Sequence, residues 1–407
     1  MSARQKSILL LGGSKQQVVA IDTAKRLGYR TVLCDYLPDN PGQFSADVFY
    51  QESTTDKMKM LEIARAESVS GVLAYSSDPA APTAAFVAEQ LGLPTNPLAS
   101  VEVMSDKHLF REHLAAHGFP CPRSVAVSAG SSAEDLLAFA KDMSYPVVVK
   151  PTDSSGSKGI SVIDTPDHTA FDMALDHARD YSRNGVLVLE EFIHSVFPRI
   201  VGGDVFVSNG KVVFWGLMTC LRDSSLGGLV PVGERNPSGL SLRQEQLVRE
   251  QIQALVTSLN IRFGELNVEI IIGKDDVPYF LELGARAGGN MIPVQLSDVS
   301  GIDLVEANVR FAMGDYSIEP VFEGNAIPIS TFVLHADRSG VFEDILIAPE
   351  LTPFVYRRVM YVSAGDRIDT FDGANKALGI LFIRFNSVDE LNRYTSSIGK
   401  YVSIVYR

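Results

Sequence analysis

Residues 7–92 switch repeatedly between two hydrophobic periods, and that switching restricts the fold more than any single motif. Ser7-Ile8-Leu9-Leu10-Leu11 is a short apolar run of the kind a buried strand makes, and it ends in Gly12-Gly13. A helical pattern from about Gln16 to Leu27 is stopped by Gly28, and a second apolar run, Thr31 to Cys34, leads to Asp35. Met58 to Glu67 is helical again, Gly71 to Ala74 is a strand, and Ala80 to Leu91 is a helix closed by Gly92. Strands alternating with helices build a parallel, doubly wound sheet. The Gly12-Gly13 turn with Asp35 imitates a dinucleotide fingerprint, but Gly-Gly-Ser-Lys-Gln-Gln lacks the third glycine, which makes that the weaker reading.

After a linker, Leu93-Pro94-Thr95-Asn96-Pro97, the pattern predicts a helix capped by Ser105 or Asp106 and running to His117. A helix near Ala133 to Lys141 then leads into Pro146-Val147-Val148-Val149-Lys150-Pro151, a β-branched strand that ends on a lysine. Burying that ammonium is costly without an anionic partner. Thr152 to Gly159 follow, rich in Ser and Gly, and such a loop can turn its N–H groups toward phosphates. Neither Gly12-Gly13-Ser14-Lys15-Gln16 nor Gly156-Ser157-Lys158-Gly159 has Walker spacing, and a plain exit from the sheet competes with the phosphate reading. Further on, Asn209-Gly210 between two apolar runs marks a hairpin, a long helix spans about Arg243 to Leu259, and two strands follow at Asn267–Ile272 and Tyr279–Leu283. From about Asn325 the chain reads as a small α+β unit of short strands.

A chain of 407 residues exceeds one core, so several domains are expected. The punctuation suggests an N-terminal α/β domain over 1–97, a two-lobed domain over 98–322 with a lid at about 120–190, and a C-terminal α+β domain over 323–407. The net charge of −13 argues against a nucleic-acid surface and an anionic membrane, though not against a local cationic pocket. Cys34, Cys121 and Cys220 are scattered and read as reduced thiols, and Ile8–Leu11 is too brief for a signal or a span. A cytoplasmic location is therefore expected.

Two carboxylates carry the chemistry. Glu269, in Leu266-Asn267-Val268-Glu269-Ile270-Ile271, and Glu282, in Tyr279-Phe280-Leu281-Glu282-Leu283, sit on strands joined by a short turn and so come side by side. Buried adjacent carboxylates are held by a cation, either Mg²⁺ bridging phosphates or a buried arginine. Gly284-Ala285-Arg286-Ala287-Gly288-Gly289-Asn290 continues from Glu282 and offers a guanidinium and a Gly-Gly turn, which phosphoryl transfer can use. Leu187-Val188-Leu189-Glu190-Glu191-Phe192-Ile193 is a buried strand breaking into an acidic pair. Arg222 could take a carboxylate and Glu234 an amine, with solvated loop charges as the competing reading.

Taken in order, these pieces resemble the ATP-grasp superfamily of carboxylate–amine ligases over roughly residues 5–320. The resemblance covers Lys107, Lys150, the Asp153–Gly159 lid, the Glu190–Ile193 hinge, Glu269, and Glu282-x-x-x-Arg286. It implies that Lys107 and Lys150 contact the ATP phosphates and that Ser155, Gly156 and Ser157 close over them, with Lys158 reaching the γ-phosphate or merely keeping the lid soluble. Glu190, Glu191, Phe192 and Ile193 would surround the adenine. Glu269 and Glu282 would hold Mg²⁺, with Mn²⁺ as the alternative ion, and Arg286 would stabilise an acyl phosphate. Arg222, Glu234, Gly288 and Gly289 would face the substrates.

The family usually has Asn two positions after the second metal glutamate. Here that position is Gly284, and Asn290 or water would substitute. The ribose partner is not assigned, and Asp204 is a candidate. The implied activity joins a small carboxylic acid to an amine through an acyl phosphate, in a homodimer without nucleic-acid or membrane partners. Activation of bicarbonate or formate is the alternative on the same fold, and a non-catalytic nucleotide sensor is the alternative of another class.

Overall fold

The computed structural model describes residues 5–154, 158–222 and 230–407, with the side chains of all of these except 196–199 and 374. Its first unit contains β1 (Ser7–Leu11), α1 (Val18–Arg26), β2 (Arg30–Asp35), β3 (Val48–Gln51), α2 (Lys57–Ala66), β4 (Gly71–Leu73) and α3 (Ala81–Gln90). The strands pair in parallel in the order β3-β2-β1-β4. All of β1 is buried, as expected where helices cover both faces of a parallel sheet. β3 has no counterpart in the sequence reading, because Val48-Phe49-Tyr50-Gln51 is short and only half-buried.

Two helices lead out of this unit, α4 (Leu98–Ser105) and α5 (Lys107–Ala116). The first fills a stretch to which the sequence assigned no element. The second starts where Asp106 accepts hydrogen bonds from the His108 and Leu109 amides, the N-cap that was expected. A four-stranded antiparallel sheet follows, built from β5 (Ser124–Ser128), β6 (Val147–Pro151), β7 (Ser161–Ile163) and β8 (Val186–Glu191) in the order β5-β8-β6-β7. Helices α6 (Ala133–Ala140) and α7 (His168–Arg179) share its separate core, around Leu136, Val147, Val149, Phe171 and Leu189.

The largest sheet begins with β9 (Ser195–Ser208) and β10 (Lys211–Arg222), joined by the expected Asn209-Gly210 turn at φ +50° and +77°. It continues with β11 (Pro231–Asn236), β12 (Gly264–Gly273) and β13 (Pro278–Gly284), separated by α8 (Leu242–Ser258). Helices α9 (Ile292–Ser300) and α10 (Leu304–Ala312) follow, then β14 (Ile329–Leu334), β15 (Gly340–Ile347), β16 (Val355–Met360), β17 (Arg367–Ile368), β18 (Gly379–Arg384), α11 (Val388–Thr395) and β19 (Val402–Tyr406). Eight strands form one sheet in the order β13-β12-β9-β10-β11-β14-β18-β16, so the sheet runs straight across residues 322/323. A small β17-β15-β19 sheet completes the molecule.

Alternation along β12 separates two faces. Leu266, Val268, Ile270 and Ile272 pack with Val248, Ile252, Leu255 and Val256 of α8 on one side. Asn267 and Glu269 turn to the other side, where α9 covers part of the sheet and a cleft covers the rest. At Gly216 the missing Cβ lets α9 sit close, because a Cβ there would lie 2.6 Å from Leu296 Cδ1.

Candidate active site

A cleft of about 1080 Å³ opens between the β5–β8 sheet and this second face of the large sheet. Gln16, Ser76 and Asp78 from the first unit and Thr395–Lys400 from the C-terminal unit close its ends. Glu269 and Glu282 stand directly opposite each other on β12 and β13, as the short turn predicted. Lys107 Nζ lies 4.0 Å from Glu282 Oε2, and it donates to the Ser154 carbonyl at 2.5 Å. The Arg222 guanidinium pairs with Glu269. The carboxylate pair is in place, and for Glu269 the partner in the fold is the competing one, a buried arginine.

The donor set suits Mg²⁺. No group of three or more His, Cys, Asp or Glu side chains that could cage a metal occurs among the described residues. However, an ion that bridges phosphates needs only one or two carboxylates, and the cations on Glu269 and Glu282 mark where positive charge is wanted. Asn290 also lines the cleft, with its backbone N–H bound to Gln16 Oε1 at 2.8 Å.

Lys150 is buried at the end of β6 and pairs with Glu190. Glu190 also accepts from Arg111 Nε at 3.0 Å, and Arg111, only 1% exposed, donates to the carbonyls of Phe280 and Leu281 at 3.2 Å. Burial alone would raise the Glu190 carboxyl, but Arg111 and then Lys150 outweigh it and hold the group at about 2. Burial lowers the Lys150 ammonium to about 8 against the pull of Glu190, which leaves it charged at neutral pH. Glu190 is thus the anchor of Lys150 at the edge of the cleft. Arg111 was missed by the sequence reading. The available signal was its place on α5, four residues after Lys107 and three before the buried Leu114.

The hinge behind Glu190 is partly spent within the fold. The Glu191 N–H donates to the Arg123 carbonyl and the Phe192 N–H to the Pro146 carbonyl, each at 2.9 Å. The Glu191 carboxylate accepts from the Ser144 N–H through Oε1 at 2.7 Å, so these two amides and that oxygen are already paired within the fold. Glu190, Glu191, Phe192 and Ile193 all line the cleft. The lid residues Ser155, Gly156 and Ser157 lie outside the described residues, as does the loop over 223–229. Lys158 is half-buried beside Gly159, and its carbonyl accepts from the Ser154 hydroxyl at 2.9 Å.

Arg286 is held by Asp78 through two bonds, Nε to Oδ1 at 2.6 Å and Nη2 to Oδ2 at 2.7 Å. Burial disfavours both charges, but their mutual attraction wins, lowering the Asp78 carboxyl and raising the guanidinium. The pair also accounts for Gly284: a Cβ there would stand 3.2 Å from the guanidinium carbon of Arg286 and from Asp78 Oδ1. Asp204, the ribose candidate, is fully buried and accepts from Gly288 N–H and Asn267 Nδ2, each at 2.8 Å. It cannot reach a ribose, and the Gly288 amide is spent on Asp204 rather than on a substrate. The Gly288 carbonyl accepts from Ser76 Oγ at 2.8 Å. Gly289 faces the open cleft, and so does Glu234, which is 5% exposed.

Comparison with known proteins agrees with this arrangement. The family model described as carbamoyl-phosphate synthase L chain, ATP binding domain, matches residues 106–318. The carbamoyl phosphate synthase large chain of Thermotoga petrophila is 26% identical over 340 residues, which cover 82% of this chain but 29% of that protein. This chain therefore spans less than a third of that relative's length. The formate-dependent phosphoribosylglycinamide formyltransferase of a Synechococcus species (strain WH7803) is 33% identical over 327 residues, covering 77% of this chain and 78% of the relative. Among solved structures, L-amino acid ligase from Bacillus licheniformis superposes over the full length of both chains with a TM-score of 0.80 at 21% identity, a likeness of fold.

Proposed function

The chain belongs to the ATP-grasp family of carboxylate–amine ligases, and on that premise we propose that it uses ATP to join a small carboxylic acid to an amine, releasing ADP and phosphate. The observation that carries this reading is the placement of Glu269 opposite Glu282 in one cleft with Lys107, Lys150 and Arg286. Lys150 and Lys107 hold the ATP phosphates. Glu269 and Glu282 would hold Mg²⁺, which neutralises phosphate charge when bound. The substrate carboxylate oxygen attacks the γ-phosphorus, and the bond to ADP breaks. The amine nitrogen then adds to the carbonyl carbon of the acyl phosphate, and phosphate leaves with the bonding pair. Arg286, oriented in advance by Asp78, supplies positive charge to the oxygen that becomes anionic. Glu191, Phe192 and Ile193, which line the cleft beyond Glu190, are left to meet the adenine.

A second reading, activation of formate or bicarbonate by the same groups, draws support from the 33% identical formate-dependent relative. A homodimer in the cytoplasm belongs to the proposal as well. No helix among the described residues is long and apolar enough to cross a membrane.

Phosphate release measured against a panel of carboxylic acids, with and without amines, tests the proposal when the products are identified by mass spectrometry. An amide formed in step with ADP is the expected result. ADP release driven by formate or bicarbonate alone would favour the second reading. Tight ATP binding with no ADP from any acid would replace both with a nucleotide sensor.

A further inference from the structure

Glu234 is 95% buried, yet its Oε2 has no hydrogen-bond partner among the described residues. An unpaired carboxyl oxygen is expensive to bury and calls for a ligand; burial raises this acid to about 8, and a cation seated on it draws the group back to its charged form. Its position is not accidental. The Glu234 amide donates to Thr331 Oγ1 at 3.0 Å, and its carbonyl accepts from Gln295 Nε2 at 3.0 Å and Ser330 Oγ at 3.1 Å. This buried network fixes the backbone while the side chain reaches across β10 to β9. There it lies over Gly202: a Cβ at 202 would stand 2.7 Å from Oε2 and 3.0 Å from Oε1. Gly202 adjoins β12 in the register between the pairs Asn267↔Asp204 and Ile270↔Val201, which is level with Glu269. The carboxylate is thereby brought to about one strand spacing, ~4.8 Å, from the strand that carries Glu269. Val232, Leu221, Phe332 and Ile398, all buried, line the same end of the cleft.

We propose that Glu234, laid over Gly202, is the seat of the acceptor's ammonium group, so that the amine joined by this enzyme is a primary ammonium compound with an apolar body. The inference rests on the ligase reading above and deepens it. The ammonium donates to Oε2, and its apolar body meets Val232, Leu221, Phe332 and Ile398. Its nitrogen then stands beside the carboxylate pair where the acyl group is activated. One ammonium proton is released to water, which leaves the neutral, nucleophilic amine. A second N–H proton leaves with the phosphate as the C–N bond forms and the C–O bond breaks.

The test compares two nucleophiles in Glu234→Gln, using hydroxylamine, which is mostly neutral at pH 7, against n-butylamine. The expected result is a fall of about ten- to a hundredfold in kcat/KM for butylamine relative to kcat/KM for hydroxylamine, the usual worth of a hydrogen bond to a charged group. The loss should appear mainly as a higher amine KM. Gly202→Ala, whose methyl displaces the carboxylate, should shift the same ratio in the same direction. A calorimetric titration of n-butylamine in the presence of ADP and Mg²⁺ supplies a readout independent of turnover, with weaker binding to Glu234→Gln expected. Equal loss for both nucleophiles, or unaltered butylamine binding, overturns the assignment of Glu234 while leaving the ligase reading intact. Absence of any acid-dependent ADP release or hydroxamate in the unaltered protein overturns the ligase reading, and this inference falls with it.

Discussion

Asp78 and Arg286 grip each other through two parallel bonds although 208 residues separate them in the chain. The first unit thus supplies the group that aims the guanidinium of the ATP-grasp cleft. A bidentate pair fixes the plane of an arginine as well as its position. The expected consequence is that Asp78→Asn lowers kcat by roughly ten- to a hundredfold, since a small misplacement of a catalytic group has that effect. It should also lower Tm, because Arg286 is left buried without a counter-charge. ATP affinity, measured by calorimetry, should change far less. A variant with full kcat would remove Asp78 from the positioning role.

Gly284 tests the same relationship from below. A methyl group there would sit 3.2 Å from both members of the pair, close enough to force one of them to move. We expect Gly284→Ala to lower kcat about tenfold with a smaller effect on Tm than Asp78→Asn. Unaltered turnover would show that Arg286 tolerates displacement.

Glu282 sits opposite Glu269 with Lys107 alongside. Glu282→Gln removes one of the two carboxylates while keeping the shape, so turnover should fall at least a hundredfold, as losses of transition-state charge stabilisation do. Circular dichroism should stay that of the folded protein. Wild-type turnover at saturating Mg²⁺ would sink the metal assignment.

The Lys150–Glu190–Arg111 cluster predicts an acid-dependent stability. The Glu190 carboxyl is depressed from 4.5 to about 2, so its contribution is fully present above pH 4.5 and is lost as pH falls through about 2. Glu190→Gln abolishes that slope and leaves two buried cations unpaired. We expect it to cost ~3–5 kcal/mol at neutral pH, with the difference from wild type shrinking between pH 4.5 and 2. Denaturant melts across that range measure it. A pH-independent difference would show that Glu190 is not charged in the folded protein.

Much of the fold was legible locally. Gly28 and Gly92 stop α1 and α3 with φ of +83° and +64°, Asp106 caps α5, and Asn209-Gly210 turns β9 into β10. Glu269 and Glu282 could be paired from sequence because a short turn sets the register of a hairpin. Residues 98–105 and β3 escaped because each is short and only partly buried, which leaves little periodic signal.

Helix, strand and turn chemistry acts over a few residues, so the elements and the kinds of charged groups they carry could be read along the chain. Which charges face each other was decided only by tertiary structure. Arg111 buries itself against Glu190, Asp78 takes Arg286, and Asp204 is consumed by Gly288 instead of a ribose. Glu234 reaches over Gly202, and β14 extends the sheet past residue 323. Each of these depends on partners distant in sequence, and no local pattern records which distant partner will satisfy a buried charge. Desolvation makes such pairing obligatory once the chain has closed around it.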